Sequence, residues 1–116
     1  MPKRILIAED DKDTRELLTS IAKMHGYEVV SVTDGIELLT IAASEKFDVV
    51  ITDLMMKDLN GASATEIMKM QGNTTPVIAL TALESQDIGL IQDSFVKIYH
   101  KPCDVKALFD YVDLLT

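Results

Sequence analysis

Five residues stand where chemistry could be done. Glu9 and Asp10 follow the apolar run 5–8, Asp53 follows 49–51, Thr81 follows 77–80, and Lys101 follows a shorter run around 96–99. Brought together, Glu9, Asp10 and Asp53 would repel one another by a few kcal/mol per pair, taking an effective dielectric of about 20 near a protein surface. Such a cluster calls for a cation. Oxygen-only ligands suit Mg²⁺, with Mn²⁺ as a substitute, and Mg²⁺ takes one or two carboxylates together with waters and phosphate oxygens. Lys101 adds a fixed positive charge and the Thr81 hydroxyl a hydrogen-bond donor. Both would neutralise and orient an incoming phosphoryl group, which is most of what phosphoryl transfer asks of a protein. Asp53 is then the natural nucleophile.

Elements that could gather these residues are readable in the hydrophobic pattern. The runs 5–8, 29–32, 49–51, 77–80 and 96–99 are near-continuous and rich in Ile and Val, which suits parallel strands covered on both faces. Between them lie segments of helical period. The first helix is expected over 14–25, with Leu17, Leu18, Ile21 and Met24 as its apolar stripe, Asp13 as its N-cap and Gly26 as its stop. Further helices are expected over 36–44, over 62–70 with Gly72 and Asn73 beyond it, over 84–94 despite Gly89, and over 104–115 just after Pro102. Strict alternation makes this a (βα)5 chain. Right-handed crossovers then give a doubly wound sheet whose ligand site lies beyond the carboxyl ends of the strands, which is where the five residues fall.

Composition narrows the classes. The chain has 116 residues, enough for one sizeable core and short for two. Its 19 acidic and 11 basic residues give a formal charge of −8, so it carries no footprint for direct binding to nucleic acid. No apolar stretch approaches the roughly 20 residues that cross a bilayer, and charges at Glu9, Asp10 and Asp11 interrupt any secretory signal, so no membrane association is expected. A single cysteine, Cys103, fits a reducing compartment, and the cytoplasm is the expected location.

Four segments at four strand ends, in order and spanning nearly the whole chain, resemble the receiver domains of two-component response regulators. They are 5–11 with its acidic residues, Asp53-Leu54-Met55-Met56 followed by Gly61, Ala79-Leu80-Thr81-Ala82, and Lys101-Pro102. The resemblance implies Asp53 as phosphoacceptor, Asp10 and Asp53 as direct Mg²⁺ ligands, Glu9 acting largely through metal-bound water, and the Met55 backbone carbonyl completing the protein ligands. Thr81 would hydrogen-bond the phosphoryl oxygens, and Lys101 would pair with them. The implied donor is a phosphohistidine on a sensor histidine kinase or histidine phosphotransfer protein, and the recipient of the signal a downstream protein or fused output domain. Such a receiver catalyses only its own phosphorylation and dephosphorylation and is otherwise not an enzyme. The expected fold is a flavodoxin-like three-layer sandwich with a parallel sheet of order 2-1-3-4-5, forming one receiver domain over residues 1–116. Beginning at the first strand and ending in the last helix, the chain is expected to be either a stand-alone receiver or one excised from a larger protein.

Other readings account for less. A haloacid-dehalogenase-type phosphatase needs a second aspartate two positions after the first, where Met55 stands. A flavodoxin-like FMN carrier needs a hydroxyl- and glycine-rich loop after the first strand, where Glu9, Asp10 and Asp11 would repel phosphate. A degenerate receiver serving only as an interaction module would not need the acidic, threonine and lysine positions intact. Asp11 is expected to face solvent, His25 to lie at the surface, His100 to end a strand, Cys103 to sit where the last helix starts, and Met24, Met68 and Met70 to be core or rim. Departures from the family pattern are Lys57, where proline is usual, the sequence Gln92-Asp93-Ser94-Phe95 before the last strand, and Ile98, where an aromatic is usual. Isoleucine has a restricted χ1 and no polar tip, and Tyr99, one step along, points to the opposite face. The signal is therefore expected to leave through the acceptor loop, including Lys57 and Asp58, and the segment after Thr81, with the last strand changing little.

Overall fold

The computed structural model describes residues 2–82 and 92–116. The Ile- and Val-rich runs form strands β1 (Arg4–Ala8), β2 (Glu28–Val32), β3 (Val49–Asp53), β4 (Val77–Thr81) and β5 (Lys97–His100), in one sheet of order β2-β1-β3-β4-β5. All neighbouring pairs are parallel, as expected. Helices α1 (Lys12–Met24), α2 (Gly35–Ser44), α3 (Gly61–Met70) and α4 (Val105–Leu115) cover the two faces. The helix expected over 84–94 lies outside the described residues except for Gln92–Ser94, which form a 3₁₀ turn.

Alternation along each strand divides the core in two. Leu6 and Ala8 of β1, Val50 of β3 and Ala79 of β4 pack with Leu38 and Ala42 of α2 and with Ala64 and Met68 of α3. Ile5 and Ile7, Val49 and Ile51, and Ile78 and Leu80 pack on the other face with Leu18 and Ala22 of α1 and with Leu108, Phe109 and Val112 of α4. Each Val, Leu, Ile, Phe or Met among them contributes roughly 1.5–3 kcal/mol on removal from water before entropy is counted. The consequence for function is rigidity: the strand carboxyl ends are held together at one end of a packed sheet.

Helix boundaries correct several expectations. Asp11, not Asp13, caps α1: its carboxylate accepts from the Thr14 backbone N–H at 2.9 Å and from the Thr14 hydroxyl at 2.6 Å. The helix therefore starts at Lys12, and Asp13 lies in the first turn, where a negative charge complements the helix dipole. Leu17 is 50% and Met24 83% exposed, so the buried stripe of α1 is Leu18 and Ala22, one turn apart, flanked by Ile21. Met68 is core, whereas Met70 is exposed at the end of α3. Phe109 of α4 is fully buried beside Leu108 and Val112.

Gly26 and Gly72 stop α1 and α3 as expected, with φ of 87° and 84°. After α1, Gly26 N–H bonds Lys23 O and Tyr27 N–H bonds Ala22 O; after α3, Gly72 bonds Lys69 O and Asn73 bonds Met68 O. Both are paired C-terminal bonds that satisfy otherwise unpaired helix carbonyls.

Candidate metal centre

Glu9 is the first residue past β1, its N–H donating to the Val32 carbonyl at 3.1 Å, and Asp53 is the last residue of β3. Because β1 and β3 are neighbours in register, their carboxyl ends place these side chains together. Ligand oxygens of Glu9, Asp10 and Asp53 lie within 4.8 Å of one another. Asp10 is exposed, while Glu9 and Asp53 are only 1% and 5% exposed.

Lys101 arrives from β5, its backbone N–H donating to Thr81 O at 2.8 Å, which ties the lysine to the end of β4. Its Nζ donates to Glu9 Oε1 at 2.6 Å and to Asp53 Oδ2 at 2.8 Å. The other Asp53 oxygen, Oδ1, accepts from the Met55 N–H at 3.0 Å. Thr81 ends β4 fully buried. Asp53 is braced from behind, where the Thr52 hydroxyl donates to the Asp53 carbonyl at 2.8 Å and a Cβ on Gly61 would lie 2.1 Å from that same oxygen. A glycine is therefore required where α3 begins.

Burial, with the neighbouring Asp53 acting in the same direction, pushes the Glu9 carboxyl up to about 8. Burial alone would lower Lys101, but its hydrogen bonds to Asp53 and Glu9 outweigh that and hold its pKa above the usual range. The second oxygen of Glu9, Oε2, is buried with no hydrogen-bond partner among the described residues. An orphaned carboxylate oxygen at the centre of an all-oxygen donor set fits a hard divalent cation, Mg²⁺ above all.

A pH dependence follows. Glu9 holds its proton up to about pH 8 in the folded chain and only to about 4.5 otherwise, so between those values the folded state carries more protons and metal-free stability falls as pH rises. Urea unfolding in EDTA should show a loss on the order of 1–3 kcal/mol from pH 5 to 8. Glu9→Gln should flatten that slope; an unchanged slope would mean that Glu9 is not its source.

The residues expected at the site are thus gathered at the carboxyl end of the sheet. Met55 contributes its N–H to Asp53, and its side chain points largely to solvent. His100 ends β5, exposed. His25 closes α1 at the surface with Nδ1 2.8 Å from Asp113 Oδ2. Cys103 lies half-buried in a small recess of about 230 Å³ shared with Leu17, Leu80 and Pro102. A larger cleft of about 740 Å³, lined by Lys46, Phe47 and Asn73 among others, opens at the amino end of β3 and β4 and has no part in the acidic cluster. Sequence reading missed Arg15, whose guanidinium Nη1 donates to Glu9 O at 2.9 Å and Asp10 O at 3.3 Å. The available signal was its place one turn past the Asp11 cap.

Residues 5–113 match the family model of the response regulator receiver domain. Over 85 residues the chain is 36% identical to the response regulator MprA of Mycobacterium sp. (strain KMS), covering 73% of this chain and 37% of that protein. The chain therefore spans well under half the length of that relative. Among solved structures, the receiver domain of the Francisella response regulator 1452 superposes with a TM-score of 0.92 at 29% identity, covering 97% of this chain and 95% of that one. The response regulator TrrA of Thermotoga maritima, solved in complex with Mg²⁺ and BeF, gives 0.90 at 27% identity, covering 98% and 99%. Among the described residues, no helix is long and apolar enough to cross a membrane.

Proposed function

Because this chain belongs to the response regulator receiver family, we propose that it is a phosphorylation switch in which Asp53 accepts a phosphoryl group from a phosphohistidine on a sensor histidine kinase or histidine phosphotransfer protein. The observation that carries this is the convergence of Glu9, Asp10 and Asp53 within 4.8 Å, with Lys101 bridging two of them. Bound Mg²⁺, or Mn²⁺ in its place, would offset the charge of the carboxylates and of the phosphoryl oxygens. Glu9, Asp10, Asp53 and the Met55 carbonyl are the groups that would hold it.

The Asp53 carboxylate attacks phosphorus in line with the departing imidazole; the N–P bond breaks and its electron pair returns to the imidazole nitrogen. Lys101 passes from the Asp53 oxygen to a phosphoryl oxygen, and the Thr81 hydroxyl donates to another. Hydrolysis of the aspartyl phosphate at the same site resets the switch. Residues 1–116 act in this as one receiver domain in the cytoplasm. The recipient of the signal is a downstream protein or a fused output domain. Intact mass after incubation with acetyl phosphate should show one added phosphoryl group with Mg²⁺ and none with EDTA. Wild-type protein that takes up no label under either condition would leave only the degenerate interaction module.

The readout we propose runs through the acceptor loop. The loop rests on α2 so closely that a Cβ on Gly35 would lie 1.9 Å from Leu59 O, and Asp58 within it holds a left-handed φ of 65°. Ile98 packs with the α2 and α3 face and Tyr99 with the α1 and α4 face, so neither can take the other's place. Lys97 adds a cation over the Tyr99 and Tyr111 rings, 5.9 and 5.7 Å from their centroids, which holds β5 to α4. Amide exchange with and without beryllofluoride, a stand-in for the phosphoryl group, should change most over 54–60, in the first turn of α2 and in the segment after Thr81, most of which lies outside the described residues. A dominant change along β5 and α4 would overturn this.

A further inference from the structure

Arg15 lies one turn into α1, outside the acidic cluster. Its two acceptors, the carbonyls of Glu9 and Asp10, belong to the peptide groups on either side of the Asp10 Cα. One guanidinium nitrogen therefore restrains rotation on both sides of that residue. The preceding N–H is already held by Val32 O at 3.1 Å, and the following residue, Asp11, is fixed as the cap of α1. Lys101 donates to both Glu9 and Asp53, whereas Asp10 is exposed and sits on this clamped turn.

We infer that Arg15 is a positioning residue for Asp10, holding its carboxylate in the metal-binding direction before any metal arrives. The inference rests on the metal-assisted reading above. Charge and positioning predict opposite signs here. A guanidinium near a divalent cation repels it, so if Arg15 acted by its charge, removing it would tighten Mg²⁺ binding; if it acts by holding the turn, removing it weakens binding. Arginine suits the second role because its planar guanidinium holds the two N–H groups of Nη1 in fixed directions toward the two carbonyls, whereas the ammonium of lysine rotates freely about its stem.

Mg²⁺ titration of the full chain, followed by NMR shifts of the Asp10 and Asp53 amides, tests this. Arg15→Met should weaken the Kd about tenfold, the usual scale for groups that orient a ligand. Arg15→Lys should fall between the two, and in metal-free protein amide exchange over 9–11 should quicken in the same order. Coupling separates positioning from general stability: in an Asp10→Asn background, Arg15→Met should add little further weakening. An Arg15→Met Kd that is unchanged or tighter, or the same fold loss with and without Asp10, would overturn the role of Arg15 while leaving the metal site standing. Wild-type protein whose Asp10 and Asp53 amides do not respond to Mg²⁺ would overturn the metal reading and this inference with it.

Discussion

Asp53→Asn should reduce the phosphoryl group gained from acetyl phosphate in Mg²⁺ from one to none. The amide keeps the shape of the side chain and can still meet the Met55 N–H through its oxygen, but it has no anionic oxygen to attack phosphorus. Loss of labelling in a folded variant therefore reports chemistry, because Lys101 retains Glu9 as a partner 2.6 Å away. Asp10→Ala leaves the nucleophile and removes only a ligand, so uptake should slow about 10- to 100-fold rather than vanish. Intact-mass spectrometry with peptide mapping reads both. Labelling of Asp53→Asn at the wild-type level would place the acceptor elsewhere.

Lys101→Met should cost the metal-free protein about 2–3 kcal/mol, somewhat less than the 3–5 typical of removing one partner from a buried ion pair. The reduction comes from Glu9, which binds a proton up to about pH 8 and so leaves less uncompensated charge near neutrality. For a chain of this length the melting temperature should drop by roughly 10 °C. Added Mg²⁺ should then restore more stability to the variant than to the wild type, because a divalent charge replaces the missing ammonium between Glu9 and Asp53. Thermal melts in EDTA and in Mg²⁺ measure this. A metal-free variant within about 2 °C of wild type would mean that Lys101 is not the counter-ion that holds the carboxylates together.

Strand and helix alternation and the carboxyl-end location of the candidate site were legible because they follow from local periodicities and from general rules of parallel sheets, whereas the strand order was legible only through the resemblance to the receiver family. The apolar runs are long enough to mark five strands, and the charged or hydroxylated residue ending each of four of them stands out against its apolar neighbours. Helix starts were less legible. Asp11 and Asp13 are both good caps, and the choice fell to Asp11 because Thr14, three positions on, offers it both a backbone N–H and a hydroxyl. Apolar type also misjudged burial at Leu17 and Met24: a helix buries only the stripe that meets the sheet, and that stripe is fixed by how α1 lies across β1 and β2.

What the sequence by itself determined is the kind of chemistry: which side chains stand at strand ends, that they are acidic with one lysine and one threonine, and that oxygen ligands favour a hard cation. Only the tertiary structure decided how they meet. Lys101 and Glu9 are 92 positions apart, and their contact exists because β5 hydrogen-bonds to β4, β4 to β3 and β3 to β1. The same holds for the raised carboxyl of Glu9, a product of burial, for Gly35 and Gly61, which are glycine because other backbone passes within van der Waals distance, and for Arg15, whose carbonyl partners become visible only when the turn before α1 closes back on it.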